Sequence, residues 1–364
     1  MGANPETKDT PFTIPEEQVK EYLEQLRNGI VEDVVKQIRN DILKPPQGKE
    51  AEFMKAKEKF RDIIKALASG DIGKAKTLSE SDEGGVFIPT EVSNQVARLM
   101  GEFGLVRKAG ARTFPLKNSV RVPVFSGASL STWGKEDVDY SAVSGSLFSS
   151  KTVSLDKLLS LIPITVELIE DAPALTDLLT LLVAEDMAKQ EDQGVIFYNS
   201  GGGDPWDGLC FNSNVNEYTL SGDVDAEDWT ALLTLRDTAP SSVKYTGAYF
   251  MHPSVWEHFR ADKDNTGRPI FDLEKNTFAG RPVFEADFMP EIGSTSGGKP
   301  VVLYGDFRFV WIGEKGNITL EVLTQGTIGD INLITKDYRV LKFRKRQGWQ
   351  AVMPTAFAVM KTAS

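Results

Sequence analysis

The stretch that most constrains this chain runs from Asp171 to Gly203 and is predicted to form one long helix. Its apolar residues recur at spacings of three and four, which places them on one helical face. They are Leu175, Leu178, Leu179, Leu182, Val183, Met187, Gly194, Phe197 and Tyr198. The run from Asn199 to Gly203 ends the helix, because glycine adopts the left-handed conformation common at helix C-caps. About 26 helical residues make a rod of about 40 Å, so the rest of the chain must pack along this predicted spine.

The overall composition excludes several classes of protein. The formal net charge of -11 over 364 residues argues against tight non-specific binding to nucleic acid. No apolar run reaches the roughly 18 residues of a membrane-spanning helix, and the N-terminus lacks the basic and apolar regions of a secretory signal. The single cysteine, Cys210, excludes an intrachain disulfide framework and fits a reducing cytoplasm.

Two helices are predicted in the N-terminal part of the chain. The first spans Pro15 to Leu43, with an apolar stripe near heptad spacing between charged residues. The stripe consists of Val19, Leu23, Leu26, Ile30, Val34, Ile38 and Ile42. Two prolines stop this helix, and the second runs from about Lys49 to Ala68, followed by a glycine-rich linker at 70–85. The helices form either a hairpin docked on the core or a separate assembly module, and the sequence leaves both open.

The chain before the spine is predicted to form a long two-stranded β-arm. Alternating patterns at 120–124 and 151–155 indicate its strands, and the segment between them is too rich in Ser and Gly to build a core. Because an isolated hairpin is marginal in water, we expect the arm to lie on another surface, such as a second copy of the chain. Its return strand is predicted at 161–165.

After the spine, helices and strands interleave without strict alternation, which predicts an α+β fold rather than a doubly wound sheet. The predicted helices are at 226–238 and 253–260. The predicted strands are at 248–251, within 299–312, at 318–323 and at 331–343, and the chain closes with 349–360.

Several motifs stand in a specific order along the chain. They are GGVFIPTEVSNQV, ITVELIEDAPAL, YNSGGGDPWDGL, YFMHPSVWEHFRADKDNTGRPIF, FAGRPVFEADFMP, VVLYGDF and MPTAFAVM, and they span about residues 84–360. In order and spacing they resemble the major capsid protein of tailed bacteriophages, whose fold is named after phage Hong Kong ninety-seven.

The resemblance implies a domain organisation. It consists of a helical, scaffold-like N-terminal segment with its linker (1–83), an N-arm (84–111), an E-loop (112–165), a P-domain with the spine helix (166–203), an A-domain (204–310), P-domain strands (311–347) and a closing A-domain strand (348–364). The resemblance also implies that residues 1–80 are a scaffolding segment. Because their apolar stripes need a partner, residues 15–68 are predicted to steer assembly in place of a separate scaffolding protein.

The function implied by the resemblance is structural. Copies of the chain would form the hexamers and pentamers of an icosahedral shell that encloses double-stranded DNA, assembled in the bacterial cytoplasm. The implied partners are other copies, a portal, a decoration protein, and packaged DNA through weak non-specific contact. Two alternatives stay open: an encapsulin-like bacterial nanocompartment, and a soluble α+β enzyme with no recognisable site. The helical extension and the long arm favour the phage shell.

The features that suggest an enzyme are weak. Gly201 to Gly203 follow a helix, whereas phosphate loops precede one. His252 and His258 lack zinc-ligand spacing, and Cys210 has no local histidine partner, so a packed, unreactive thiol is favoured. Four spine carboxylates are predicted to form a solvated or intersubunit face: Glu185, Asp186, Glu191 and Asp192. No nucleophile, base and orienting group stand together, so we predict no catalytic, cofactor or metal site.

Two charged segments are predicted to meet between neighbouring subunits, because the family lays its E-loop over a neighbour's P-domain. The residues of the E-loop tip are Trp133, Lys135, Glu136, Asp137 and Asp139. The basic run near the C-terminus consists of Arg339, Lys342, Arg344, Lys345 and Arg346. The alternative is that the basic run is a solvated strand edge that hinders aggregation.

Some shells of this family are cross-linked by an isopeptide bond between an E-loop lysine and a neighbour's asparagine, with a glutamate as base. By alignment, Lys135 matches the lysine, but Asp337 stands at the asparagine position and Arg344 at the glutamate position. A carboxylate is a poor electrophile that would hold the lysine as an ammonium ion, and arginine cannot accept a proton. We therefore predict a shell without covalent links, although Asn332 is an alternative asparagine if the alignment shifts.

Overall fold

The computed structural model describes residues 50–68, 86–87, 89–125, 148–171, 175–263, 275–294, 297–328, 331–333 and 337–363. Its helices are α1 (Glu50–Ala68), α2 (Thr90–Phe103), α3 (Leu105–Lys108), α4 (Val166–Asp171), α5 (Leu175–Ile196), α6 (Thr230–Thr238) and α7 (Pro253–Arg260). Its strands are β1 (Val86–Phe87), β2 (Arg112–Pro115), β3 (Val120–Phe125), β4 (Phe148–Val153), β5 (Asp156–Thr165), β6 (Asn216–Thr219), β7 (Ala248–Met251), β8 (Thr277–Phe278), β9 (Arg281–Glu285), β10 (Pro300–Gly305), β11 (Val310–Leu323), β12 (Thr327–Ile328), β13 (Ile331–Asn332), β14 (Tyr338–Ala351) and β15 (Phe357–Lys361).

The first sheet is built on two 14-residue strands, β11 and β14, which pair antiparallel. The strand order is β1-β11-β14-β5, and β2 pairs in parallel with β11. Along β14, Leu341 and Phe343 point to one face and pack with Leu320 of β11 against helices α1, α2 and α5. The alternation of apolar and polar residues therefore fixes which face of the sheet carries the helices.

The second sheet has six strands in the order β6-β15-β10-β7-β9-β8 and holds the larger core. Every residue of β7 and β10 is buried. The pairs β6–β15 and β7–β9 are parallel, while β15–β10, β10–β7 and β9–β8 are antiparallel. This mixture of sheets and packed helices confirms the α+β class.

The predicted spine exists as α5, but it is shorter than expected. It has 22 residues and a length of about 33 Å, and it ends at Ile196 rather than in the glycine run. The N–H groups of Phe197 and Tyr198 both bond to the carbonyl of Gln193, at 2.8 and 3.2 Å. The chain then leaves the helix, and Ser200–Gly202 form a separate 3₁₀ turn with Gly203 at φ 103°.

The predicted apolar face of the spine is only partly correct. Leu179, Val183 and Met187 are buried, but Leu178 and Leu182 are 45% and 43% exposed. Periodicity alone places Leu178 and Leu182 on the core side, whereas the side of the helix that is buried also carries polar residues. Those buried polar residues are Asp177, Thr180, Glu191 and Asp192.

The second of the two predicted N-terminal helices is confirmed as α1. Its apolar side, with Phe60 and Ile63, is buried against α2 and α5, and Lys57 forms an ion pair of 2.7 Å with Asp177 of α5. For α1 the docked alternative is therefore correct, and the separate module is wrong. The helix predicted at 15–43 and the linker predicted at 70–85 lie outside the described residues.

The two-stranded arm is confirmed as the β3–β4 pair, which runs from Val120 opposite Val153 to Phe125 opposite Phe148. Among the described residues it pairs with no third strand. Its base is held by a small cluster around Val122, Val153 and Leu116, and the tip lies outside the described residues. The return strand was predicted too short, because β5 pairs with β14 along ten residues.

The turn from β4 to β5 crosses β14 at a glycine. A Cβ on Gly348 would lie 1.7 Å from the Ser154 carbonyl oxygen. Gly313, which pairs with Gly348 across the sheet, is similarly crowded by Leu116, at 2.2 Å from its virtual Cβ. These two glycines let the base of the arm pass close to the sheet.

Several boundaries after the spine differ from prediction. Helix α6 begins at Thr230 rather than 226, because the Asp228 carboxylate accepts the Thr230 N–H at 3.0 Å. The strands predicted at 299–312 and 318–323 become β10 and one continuous strand, β11. The strand predicted at 331–343 is instead β14 from Tyr338 to Ala351, with 331–332 in the separate strand β13, because β11 pairs with β14 as far as Ala351 and β5 as far as Gln347. In the described part of the chain, no helix has the length and apolarity to span a membrane.

Candidate functional site

The basic run lies on β14, which is a central strand between β11 and β5. The strand-edge alternative is therefore wrong. Lys342, Arg344 and Arg346 alternate along the strand with the core-facing positions 341, 343 and 345. Lys345 itself is 3% exposed, so its assignment to an intersubunit surface is wrong: the strand's period of two turns its side chain towards the helices.

We call the surface opposite the helices the outer sheet face, consisting of Lys157, Leu159, Leu161, Lys342, Arg344 and Arg346. Lys342 lies opposite Leu161, Arg344 opposite Leu159, and Arg346 opposite Lys157 in the β14–β5 register. Directly opposite residues share one face of a sheet. Both leucines are exposed, so the face presents two apolar side chains beside four cations.

The cations of the outer sheet face differ in their partners. Lys342 forms an ion pair of 2.9 Å with Glu321 of β11. The Arg344 Nε donates to the Thr319 hydroxyl at 3.2 Å, and Arg346 is exposed. The fifth residue of the predicted run, Arg339, lies near the start of the strand, 3.6 Å from Asp337. Within the predicted basic run, Arg344 and Arg346 are therefore the cations best placed to receive an acidic partner.

The acidic half of the predicted contact lies outside the described residues. It comprises Trp133, Lys135, Glu136, Asp137 and Asp139, between the ends of β3 and β4. The structure therefore positions the receiving face, and the contact itself stays a prediction.

Two of the four spine carboxylates were assigned to the wrong environment. Glu185 and Asp186 are exposed as predicted, but Glu191 and Asp192 are buried. Glu191 accepts two hydrogen bonds of 2.6 Å from the Arg107 guanidinium, a bidentate arrangement. Burial is possible because a strong cationic partner replaces water around the carboxylate.

Arg107 also binds Glu314 of β11, and Glu314 in turn binds Lys345 of β14 at 2.9 Å. We call Arg107, Glu191, Asp192, Glu314 and Lys345 the buried charge cluster. Burial alone would lower the pKa of Arg107, but the bonds and charges of Glu191 and Glu314 raise it above its ordinary value. Burial opposes ionisation of Glu314, yet the charges of Lys345 and Arg107 hold the pKa of Glu314 below its ordinary value.

Asp192 ties the spine to the short helix α3. Its two carboxylate oxygens accept the N–H groups of Leu105 and Val106 at 2.7 and 3.0 Å. These N–H groups stand at the start of a helix, where no intrahelical acceptor exists. Burial raises the pKa of Asp192 to about 7, against the two hydrogen bonds, which lower it.

The buried charge cluster joins three parts of the fold: α3, the spine α5 and the paired strands β11 and β14. Its carboxylates are paired with backbone N–H groups or with Arg107 and Lys345, so the cluster holds these elements together. Sequence reasoning missed Arg107 and Glu314 because their pairings join distant parts of the chain. Arg107 lies 84 residues from Glu191 and 207 residues from Glu314. A charged residue carries no local mark of such a distant pairing.

Hydrogen bonds to nearby side chains hold the glycine run in place. The Asn199 side chain accepts the Gly201 N–H at 3.0 Å, and Asp207 accepts the Ser200 N–H and hydroxyl at 2.8 and 2.6 Å. Trp206 donates its indole N–H to the Gly194 carbonyl at 2.8 Å, which folds the loop back on the spine. Since carboxylates already occupy this loop, it is poorly suited to a phosphate.

The remaining candidates have packing or capping roles. His252 Nδ1 accepts the Ser254 N–H at 3.2 Å and caps α7, and His258 Nε2 lies 3.0 Å from the Glu227 carbonyl. Cys210 is fully buried, and burial raises its pKa. Across the described ranges, no group of three potential ligands is positioned for a metal ion.

Comparison with known proteins identifies one family. The model of the phage capsid family matches residues 84–362. Among curated proteins, the major capsid protein of Klebsiella oxytoca phage phiKO2 is 24% identical over 254 residues. That alignment covers 65% of this chain and 58% of the relative, so the match spans less than two thirds of the relative's length.

Solved structures share the fold. The capsid of an empty GTA particle, computed with C5 symmetry, superposes with a TM-score of 0.57 at 18% identity over 71% of this chain and 89% of that one. The capsid of the native GTA particle superposes with a TM-score of 0.56 at 18% identity, over 79% of this chain and 94% of that one. A chain from Gordonia phage Cozz gives 0.51 at 17% identity, over 72% and 87%. At such identities the likeness concerns the fold, which is of the Hong Kong ninety-seven type.

Proposed function

The chain belongs to the phage capsid family, and from this membership we propose that it is a major capsid protein whose copies assemble into the hexamers and pentamers of an icosahedral phage shell. The shell encloses double-stranded DNA, is built in the host cytoplasm and becomes part of the virion. A portal and a decoration protein are its further partners. The formal charge of -11 limits contact with the packaged DNA to weak, non-specific binding.

The observation that carries the proposal is the β3–β4 arm. Its base is anchored in a small core, but its strands pair with no third strand among the described residues. A two-stranded ribbon is marginal when isolated. A neighbouring subunit supplies the missing surface, and in a closed shell every arm is covered in the same way.

The first prediction is that the purified full chain forms capsomers or shells. Light scattering should show particles far larger than one chain of 40.1 kDa. As a matched variant, a short Gly-Ser turn replaces residues 126–147 and joins Phe125 to Phe148, which already pair across the arm. This variant should stay folded and fail to assemble. A stable monomer of the unaltered chain at high concentration would contradict the proposal.

We further propose that the acidic arm tip of one subunit lies on the outer sheet face of the next. Reversing Glu136, Asp137 and Asp139 to lysine should lower the melting temperature of assembled shells and make it less sensitive to salt. Each exposed ion pair contributes only about 0–1 kcal/mol, but a shell repeats the contact in every subunit. Arg346→Glu should act in the same direction, whereas Lys65→Glu, at an exposed position of α1, should not. Equal melting of all variants at low salt would refute the contact.

The shell is predicted to hold without covalent links between subunits. Asp337 is exposed and paired with Arg339, and its carboxylate is a poor electrophile. Arg344 donates to Thr319, and an arginine cannot act as the base. Lys135 lies outside the described residues, as does the side chain of Asn332. Shells boiled in detergent should run on a gel as single chains. A ladder of oligomers that disappears in Lys135→Ala would show the opposite.

A further inference from the structure

Tyr245, in the loop before β7, is the most exposed large apolar or aromatic side chain in the described part of the protein, at 65%. Its loop is nonetheless held firmly. The Arg281 guanidinium donates to the Tyr245 carbonyl, and the Tyr304 hydroxyl donates to the carbonyl of the preceding residue at 2.6 Å. The Thr246 hydroxyl donates to Asp306 at 2.7 Å. An aromatic ring presented on a fixed loop suits an interface anchor, because its burial costs little conformational entropy.

Cations surround the ring of Tyr245. The Arg236 guanidinium lies 5.9 Å from the ring centre, within the range of a cation–π contact. Asp237 pairs with Lys244 at 2.6 Å and with Arg236 at 3.4 Å. We call Tyr245, Arg236, Lys244 and Arg281 the tyrosine knob. With three cations against the carboxylate of Asp237, the knob is positively charged overall.

A groove of about 400 Å³ opens where the base of the arm meets the loop after the spine. Its volume lies within the range of about 300–1,000 Å³ that is usual for binding pockets. The aromatic side chains that line it are Trp206, Phe211 and Trp349, and its carboxylates are Asp156 and Asp207. We call these five residues the tryptophan groove. The groove therefore combines an aromatic wall with acidic side chains.

The carboxylates of the groove are available to cations. Asp156 accepts a hydrogen bond from the Ser154 hydroxyl at 3.1 Å. Asp207 accepts the Ser200 N–H and hydroxyl at 2.8 and 2.6 Å. Among the described residues that line the groove, Lys151 is the one cation, so the groove is negatively charged overall. The charge of the groove thus complements that of the knob.

The knob and the groove are separate surfaces at the same end of the second sheet. Phe211 shortly precedes β6, and Tyr245 shortly precedes β7. The strand registers place the starts of β6 and β7 at one end of the sheet, with β15 and β10 between them. Three strand spacings amount to about 14 Å, and the described lining of the groove includes no knob residue. One subunit therefore offers the two surfaces to two different neighbours.

We propose that the tyrosine knob of one subunit inserts into the tryptophan groove of a second copy of the chain. The Tyr245 ring is buried against the aromatic wall, and Lys244 and Arg281 face the carboxylates of Asp156 and Asp207. Because the two surfaces differ, the contact is head-to-tail, and its repetition closes a ring. The inference rests on the proposed function and names a contact that holds a capsomer together.

Cross-linking of the assembled full chain tests the contact. Ser242→Cys lies three residues before Tyr245 and keeps the ring, and Ser213→Cys lies on the lining of the groove. Both serines are exposed, and the native Cys210 is fully buried. After treatment with a short bismaleimide, the chain with both substitutions should give a ladder of two to six chains on a denaturing gel, because every copy carries both halves of the contact.

Two controls accompany this test. Ser242→Cys alone should give only single chains, because a head-to-tail contact does not bring two knobs together. Ser242→Cys combined with Ser221→Cys should also give single chains, because Ser221 is exposed beyond the far end of β6. Assembled particles in light scattering without a ladder would overturn the inference and leave the proposed function intact, whereas monomers without a ladder would refute both. A ladder that stops at two chains would also overturn the inference, because it would indicate a two-fold contact.

The energetic role of the ring is tested in the otherwise unaltered chain. Tyr245→Ser should raise the subunit concentration at which capsomers form about tenfold, as expected for the loss of an aromatic anchor. Tyr245→Phe keeps the ring and should change this concentration less than about twofold. Light scattering over a dilution series measures both variants. If Tyr245→Ser assembled at the same concentration as the wild type, Tyr245 would not anchor the contact.

Discussion

Replacing Arg107 by methionine is expected to lower the free energy of unfolding by about 3–5 kcal/mol, the usual cost of removing one partner from a buried ion pair. The guanidinium neutralises Glu191 through two hydrogen bonds and contributes to the neutralisation of Glu314. Methionine fills similar volume, so the loss reflects the charge rather than a cavity. Urea titration of dissociated subunits measures it.

Two further variants separate this effect from a general loss of arginine. Arg98→Met removes an exposed pair with Glu102 on α2 and should cost no more than about 1 kcal/mol. Arg107→Met combined with Glu191→Leu should recover much of the loss, because the carboxylate left without its cation is removed and Glu314 keeps Lys345. If Arg107→Met were as mild as Arg98→Met, the cluster would not hold α3 to the spine.

Local patterns predicted the elements well. Helices α1 and α7 and the buried strands β7 and β10 were all predicted, because each signal lies within the element itself. The ends were less predictable. The spine ends at Ile196, since two N–H groups share the Gln193 carbonyl, and nothing in the glycine run reveals that switch three residues earlier.

The environment of charged side chains was the least predictable part. Glu185 and Glu191 stand six residues apart on one helix, yet the first is exposed and the second is buried against Arg107. Lys345 and Arg346 are neighbours with opposite environments. The burial of Glu191 depends on a partner far along the chain, and the burial of Lys345 depends on the strand register. Periodicity within a single sequence describes neither.

The second large effect concerns pH and Asp192. The folded-state pKa is about 7, whereas an unfolded aspartate titrates near 3.9. Between these values the folded chain holds a proton that the unfolded chain has lost. The stability that Asp192 contributes in its protonated form is therefore fully present below about pH 4 and is lost as pH rises through 7. The difference of about three between the two pKa values corresponds to about 4 kcal/mol in the free energy of unfolding.

The variant Asp192→Asn isolates this contribution, because its amide stays neutral at every pH. Glu191 and Arg107 face the same carboxylate and remain in both proteins. The amide retains only one acceptor for the Leu105 and Val106 N–H groups, which costs about 1–3 kcal/mol independently of pH. Denaturant titrations from pH 4 to 8 should therefore show the wild type losing about 4 kcal/mol relative to the variant as pH rises. For Asp186→Asn, a change at an exposed position of the same helix, the free energy of unfolding should vary with pH as in the wild type. If the curve of Asp192→Asn also ran parallel to the wild type, burial would not hold a proton on Asp192.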